Sequence, residues 1–392
     1  MPLAPSSFLL GNRPKPSDDE LFSSWLIRVA HSQGLKLQTF CQLIWPNKSI
    51  WNRDCDRCGD AELVSSLASM TGTPLANANA TLLTSFQGKL FSDIVRCGHT
   101  KWILPLGVWH RMRRRRGLQF CPDCLAASVP YFRRSWRLSL YTVCEEHKRY
   151  LCDECPQCKS PIHPHRGEMG DRHKTEPTSV FYCPFCGFDL REAKNDGHVP
   201  PDLLAFQSYH SELLRGSALG PQGSSSLKYF TFLAHVLTLL ASQRERMRRF
   251  CELTSEASGI AITDIKFEPD MPVYFDALGI PERTRLLQAA AWLFADWPAR
   301  LRSLMILGKL RYSDLILELD DAPEWFLSAI RRPERYRVSL LPGQRAFRGN
   351  NECTSEDGFP HPAISEPEAL QTPHDETLAL SDHLALSKAS GK

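Results

Sequence analysis

Apolar residues recur at helical spacing through residues 17–86. Leu21, Trp25, Leu26 and Val29 mark one face of a first helix. Ser17-Asp-Asp-Glu20 precedes it as a candidate N-cap with acids in the first turn. Gly34 breaks this helix, and Leu37–Ile44 forms a second, short one before Trp45-Pro46. Residues 60–70 read as a third, stopped by Thr71-Gly-Thr-Pro74, and residues 75–86 as a fourth. The periodicity fades over residues 97–192, where turn residues dominate, and returns over 200–338. There, residues 227–251 read as one long helix with Phe230, Leu233, Val236, Leu237 and Leu240 on its apolar face. Its basic end, Arg244, Arg246, Arg248 and Arg249, suits a helix C-terminus, where the dipole favours cations. A further helix opens at Pro281 and runs through Leu286, Ala290 and Leu293 to Trp297-Pro298. Residues beyond 340 are rich in Ser, Pro, Glu and Asp and read as a disordered tail.

The stretch without periodicity carries the chemistry. Four pairs of soft ligands are each spaced three apart: Cys121/Cys124, Cys144/His147, Cys155/Cys158 and Cys183/Cys186. Zinc takes two such halves to make a closed Cys₃His or Cys₄ site, so the count supplies two structural zincs. Pairing in sequence order leaves spacers of 19 and 24 residues, both matching zinc-ribbon spans. Reduced core cysteines would not fall into four such pairs. A catalytic zinc is disfavoured, because four protein ligands leave no open position. Cys152-x₂-Cys155-x₂-Cys158 starts a ferredoxin-like run, but Ile162 stands where the fourth Cys belongs, so Cys152 reads as a packing thiol. Cys55, Cys58, Cys97 and His99 offer a third set, against the equal reading of residues 51–58 as a polar turn leading into a helix.

Charge adds a second candidate site. The chain's net charge of +3 hides a division. Residues 351–392 hold eight acids against Lys388 and Lys392, leaving a moderately basic body. The densest cations are Arg111, Arg113, Arg114, Arg115 and Arg116, directly before the first ligand pair. Arg133, Arg134 and Arg137 follow inside the first spacer, interleaved with Tyr131, Phe132 and Trp136. These eight arginines are candidate nucleic-acid contacts, since guanidinium groups suit phosphates and stacking. The alternatives are a protein- or ribonucleoprotein-docking surface and a solvated face. No phosphate-binding loop or dinucleotide fingerprint is present. His163-Pro-His165 reads as a Pro-rich loop between metal ligands, not as a paired-His metal motif. No run is long enough to span a membrane, and the N-terminus lacks a basic region before its apolar patch. The expectation is a non-catalytic, cytoplasmic, nucleoid-associated protein.

The expected architecture is mainly α with small zinc-ribbon or zinc-finger elements. Residues 1–96 form an N-terminal helical, helix-turn-helix-like region and 97–195 a tandem zinc segment. Residues 196–340 form a C-terminal helical domain and 341–392 an acidic tail. The segments Arg13-Pro-Lys-Pro-Ser-Asp-Asp-Glu20 to Arg28, Trp102 to His110, Gly117-Leu-Gln-Phe-Cys-Pro-Asp-Cys-Leu125, Pro130 to Leu138, Val143-Cys-Glu-Glu-His147, Cys155-Pro-Gln-Cys158 and Ala290 to Pro298 together resemble the TnsD-related TniQ family over residues 13–330. Cys55, Cys58, Cys152 and the acidic tail depart from that pattern. The resemblance implies a protein of transposition that helps choose the target site and recruits the transposon's AAA-type ATPase. It implies target DNA as a partner or, in some members, a CRISPR effector complex on which the protein docks without reading DNA. A homodimer stays open.

Overall fold

A computed structural model describes residues 8–331, apart from 97, 110–111, 168–178, 196, 266–274, 317–318, 320–321 and the Cys58 side chain. The expected tail and Arg111 therefore lie outside the described residues. No helix among them is long and apolar enough to cross a membrane.

The N-terminal helices are α1 (Phe22–Ser32), α2 (Leu37–Ile44), α3 (Cys55–Cys58), α4 (Ala61–Thr71) and α5 (Leu75–Ala80). Leu21, Phe22, Trp25, Leu26 and Val29 are fully buried, as the periodicity of α1 requires. Asp60 caps α4 by accepting from the amides of Glu62 and Leu63, and Gly72 ends it in the left-handed conformation. Ser17–Glu20 does not cap α1. Glu20 is buried and its carboxylate is taken by Arg28, at 2.6 and 2.7 Å. The free amides at the start of α1 are instead satisfied from a distance. Leu21 N donates to the Phe132 carbonyl, Phe22 N to the Thr81 carbonyl and Ser23 N to the Asp56 carboxylate. The first helix is thereby fastened to the cysteine-rich segment.

That segment is almost all loop, with short elements around its ligands. Strands β1 (Val108–Trp109) and β2 (Met112–Arg113) form an antiparallel ribbon; α6 (Pro122–Leu125) follows, then the ribbon of β3 (Val143–Cys144) and β4 (Arg149–Tyr150). Its core comes from Trp102, Phe120, Phe132, Trp136, Leu138 and Leu140, continuous with the helices on both sides.

The C-terminal helices are α7 (Pro201–Arg215), α8 (Ser226–Leu240), α9 (Glu245–Ser258), α10 (Ile280–Ala295), α11 (Ala299–Gly308), α12 (Tyr312–Ile316) and α13 (Glu324–Ile330). The expected single helix over 227–251 is two, broken at 241–244. This reverses the dipole argument: Arg244, Arg246, Arg248 and Arg249 sit at the positive N-terminal end of α9. Acids offset that placement, with Arg246 facing Asp314 and Arg249 facing Glu252 and Glu256. Phe230, Phe232, Leu286, Ala290, Leu293 and Leu304 fill the core of this helical layer.

Candidate metal centres and basic ribbon

The first cluster gathers one ligand atom each from Cys121, Cys124, Cys144 and His147, all within 4.8 Å of one another. Cys121 caps α6, Cys124 lies in its only turn, Cys144 ends β3 and His147 lies within the β3–β4 turn. That turn closes through Lys148 in the left-handed region (φ 50°). The Cys124 and Cys144 sulfurs are 3.6 Å apart, and His147 Nδ1 lies 3.6, 3.3 and 3.5 Å from the sulfurs of Cys121, Cys124 and Cys144. A tetrahedral zinc with bonds of ~2.3 Å to sulfur and ~2.0 Å to nitrogen would set edges of roughly 3.5–3.8 Å. The cluster therefore fits zinc before any ion is added, and the spacing is far beyond a disulfide. Hydrogen bonds from Cys121 and Cys124 also hold the Cys144 thiol well below its ordinary range.

The second cluster holds Cys155, Cys158, Cys183 and Cys186, with cross-pair distances of 3.6 Å for Cys155–Cys186 and for Cys158–Cys183. Its halves are two copies of one turn. Lys159 N donates to the Cys155 carbonyl and Gly187 N to that of Cys183, each from a left-handed residue (φ 59° and 75°). Cys158 and Cys186 are exposed, whereas the cysteines of the first centre are all buried. Each cluster offers four ligand atoms, enough for a closed tetrahedral metal site.

The eight candidate arginines divide by burial. Arg137 is 1% exposed and bonds Asp54 with both terminal nitrogens, at 3.1 and 2.7 Å. Burial alone would raise the Asp54 carboxyl, but the Arg137 guanidinium outweighs it and holds it below the ordinary value. Arg113 is also buried and donates to the carbonyls of Trp51 and Arg53. The expectation that these two face a ligand is corrected: their charges are spent inside. Arg133 pairs with Glu146 at 2.5 Å, and Arg134 with Asp19 and the Ser85 hydroxyl. Both lie on a strip zipped to residues 17–25, where Tyr131 bonds the Asp18 carbonyl and Ser135 the Asp19 carboxylate. Arg116 pairs with Glu154. Arg114 and Arg115 are exposed, at the foot of the β1–β2 ribbon.

Residues 12–151 match the TniQ family model. The chain carries a TniQ domain. No curated protein matches it. The TniQ domain runs from the strip before α1 to β4, so it contains the first centre and the arginine-rich ribbon, and it stops before Cys155.

Several groups that hold the TniQ domain in place were not singled out by the sequence reading. Arg283 of α10 is fully buried and donates to the Ser139 and Tyr141 carbonyls and to Gln119 Oε1; burial lowers its guanidinium to about 10. Asp276 accepts from Trp102 N at 3.0 Å, from the Ser139 hydroxyl and from His99 at 2.8 Å. Gln207 of α7 accepts from the amides of Thr142 and Val143 and donates to the Val143 carbonyl. His99 is thus engaged by Asp276, while Cys97 and the Cys58 side chain, the rest of the third candidate set with buried Cys55, lie outside the described residues. His163 and His165 pack against Phe185 and Trp51 respectively, as a Pro-rich loop would place them. Cys152 packs beside Asn195.

Proposed function

We propose that this protein is a non-catalytic adaptor for target-site selection in transposition. It binds target DNA through the β1–β2 ribbon and recruits the transposon's AAA-type ATPase. Two structural zincs, on Cys121, Cys124, Cys144 and His147 and on Cys155, Cys158, Cys183 and Cys186, stiffen residues 97–195 between the helical regions 1–96 and 196–340. The TniQ domain ties the chain to transposition. The observation that carries the DNA reading is that Arg114 and Arg115 stay exposed on a ribbon anchored at its base by buried Arg113. The anchoring continues beyond the strands, where Arg114 N and Arg115 N donate to the carbonyls of Gly107 and Leu106. Zinc here supplies rigidity: each ion's four positions are filled by protein, which leaves none for water or substrate.

Gel-shift titration of duplex DNA against rising salt tests this reading. Wild-type affinity should fall steeply with salt as phosphate contacts release counterions, and Arg114→Glu/Arg115→Glu should weaken binding by at least tenfold and flatten the slope. Binding that ignores both salt and charge reversal would overturn the surface. Capture of a CRISPR ribonucleoprotein without affinity for naked duplex would move the protein to the docking reading.

A further inference from the structure

The outer face of the ribbon carries the molecule's one exposed tryptophan. Of nine tryptophans, seven are buried and Trp292 is partly buried; Trp109 alone is exposed, at 57%. Its cross-strand partner is Met112, itself 36% exposed, and partners across an antiparallel pair share a face. The other pair, Val108 and Arg113, faces inward, with Arg113 rooted in the Trp51 and Arg53 carbonyls. Arg114, two residues past Met112, lies with its guanidinium carbon 5.3 Å from the centre of the Trp109 ring. One side of the indole is therefore covered by a cation, and the ring's large exposure lies elsewhere on it. The base is fixed as well. A side chain at Gly107 (φ 57°) would meet the Arg115 stem at 2.9 Å, and one at Gly117 would meet the Pro105 carbonyl oxygen at 2.6 Å. An aromatic ring is thus held at the surface with more than half of its area open to solvent.

The surroundings narrow what the ring would meet. No acid occurs between Asp93 and Asp123, while Arg114, Arg115 and Arg116 follow the ribbon directly. A ligand for this face carries negative charge beside a flat aromatic surface. Nucleic acid does, and in a paired duplex the base faces are hidden in the stack. Resting on the DNA reading above, we infer that Trp109 is a base-stacking residue. The ribbon's preferred ligand is then DNA that offers an unstacked base face next to its phosphates, such as a bulge, mismatch or strand junction. Arg114 holds the indole while Arg115 meets the backbone.

Two labelled duplexes of equal length test this, one fully paired and one with two unpaired nucleotides at its centre. Wild type should prefer the second by about tenfold, within the range for stacking one base on an aromatic side chain. Trp109→Ala should abolish the preference by weakening binding to the duplex with unpaired nucleotides about tenfold more than binding to the paired one, and Trp109→Phe should keep most of it. Unchanged metal content and thermal midpoint would show that Trp109→Ala is folded. Equal wild-type affinity for the two duplexes, or equal weakening of both by Trp109→Ala, overturns the inference and leaves the DNA reading standing. Absence of binding to either duplex removes both.

Discussion

The two candidate metal clusters, one Cys₃His and one Cys₄, differ in what surrounds them. At the first, all three cysteines are buried, α1 takes its capping acceptor from Phe132, and Arg137, Gln207 and Arg283 cross-link the adjoining strands to both helical regions. At the second, two identical turns present Cys158 and Cys186 to solvent, and Phe185 between ligands is 46% exposed. All three cysteines of the first cluster sit in the core, whereas only Cys155 and Cys183 of the second do. Ligand spacing brings four donors together, while the neighbours decide how much of the fold depends on the cluster they form.

The largest effect should come from the ligands themselves. Cys144→Ser should lose one zinc together with cooperative unfolding of the TniQ domain, because structural zinc sites contribute on the order of 10 kcal/mol. Cys158→Ser should lose one zinc and leave the main thermal transition nearly in place. Metal analysis with calorimetry on both variants decides it, and equal damage from the two would erase the distinction.

Next in size is the buried pair behind the first centre. Asp54→Asn leaves Arg137 without its two-point partner and should cost about 3–5 kcal/mol in urea unfolding. Asp189→Asn, which frees Arg191 at the second centre, should fall within measurement scatter, since that pair is solvent-screened.

A smaller effect should appear with pH in the C-terminal helices. His210 is buried, 2.8 Å from the Tyr229 hydroxyl, and burial lowers it to about 3. Its depressed value means stability is fully present above an ordinary histidine value of roughly 6.5 and is lost as pH falls toward 3. His210→Gln should therefore show a shallower drop in thermal midpoint between pH 6.5 and 4 than wild type. Parallel curves would show that His210 does not carry this dependence.

The sequence disclosed the two Cys/His clusters because each half is local: two donors three residues apart declare themselves. It also placed α2 and α4 well, where Trp45-Pro46 and the Asp60 and Gly72 caps act within a few residues. What stayed hidden was long-range. Arg137 looked like its basic neighbours, yet its partner Asp54 is 83 residues away. The usable signal was its setting, Trp136-Arg-Leu-Ser-Leu140, a cation in an apolar stretch, unlike the exposed run at 114–116. Arg283 carried a similar signal, standing at helical spacing between Ile280 and Leu287 on the buried face of α10. Ser17–Glu20 imitated a cap because capping residues are also good turn residues; the ion pair with Arg28 decided between the two.

Stepwise chelation of the intact protein, with zinc release and helical signal followed together, separates the two clusters. Two zincs per chain are expected, one leaving quickly with the helical signal intact and one leaving only as that signal collapses. Iron in place of zinc, fewer than one equivalent, or both ions leaving in a single step with unfolding would contradict that expectation.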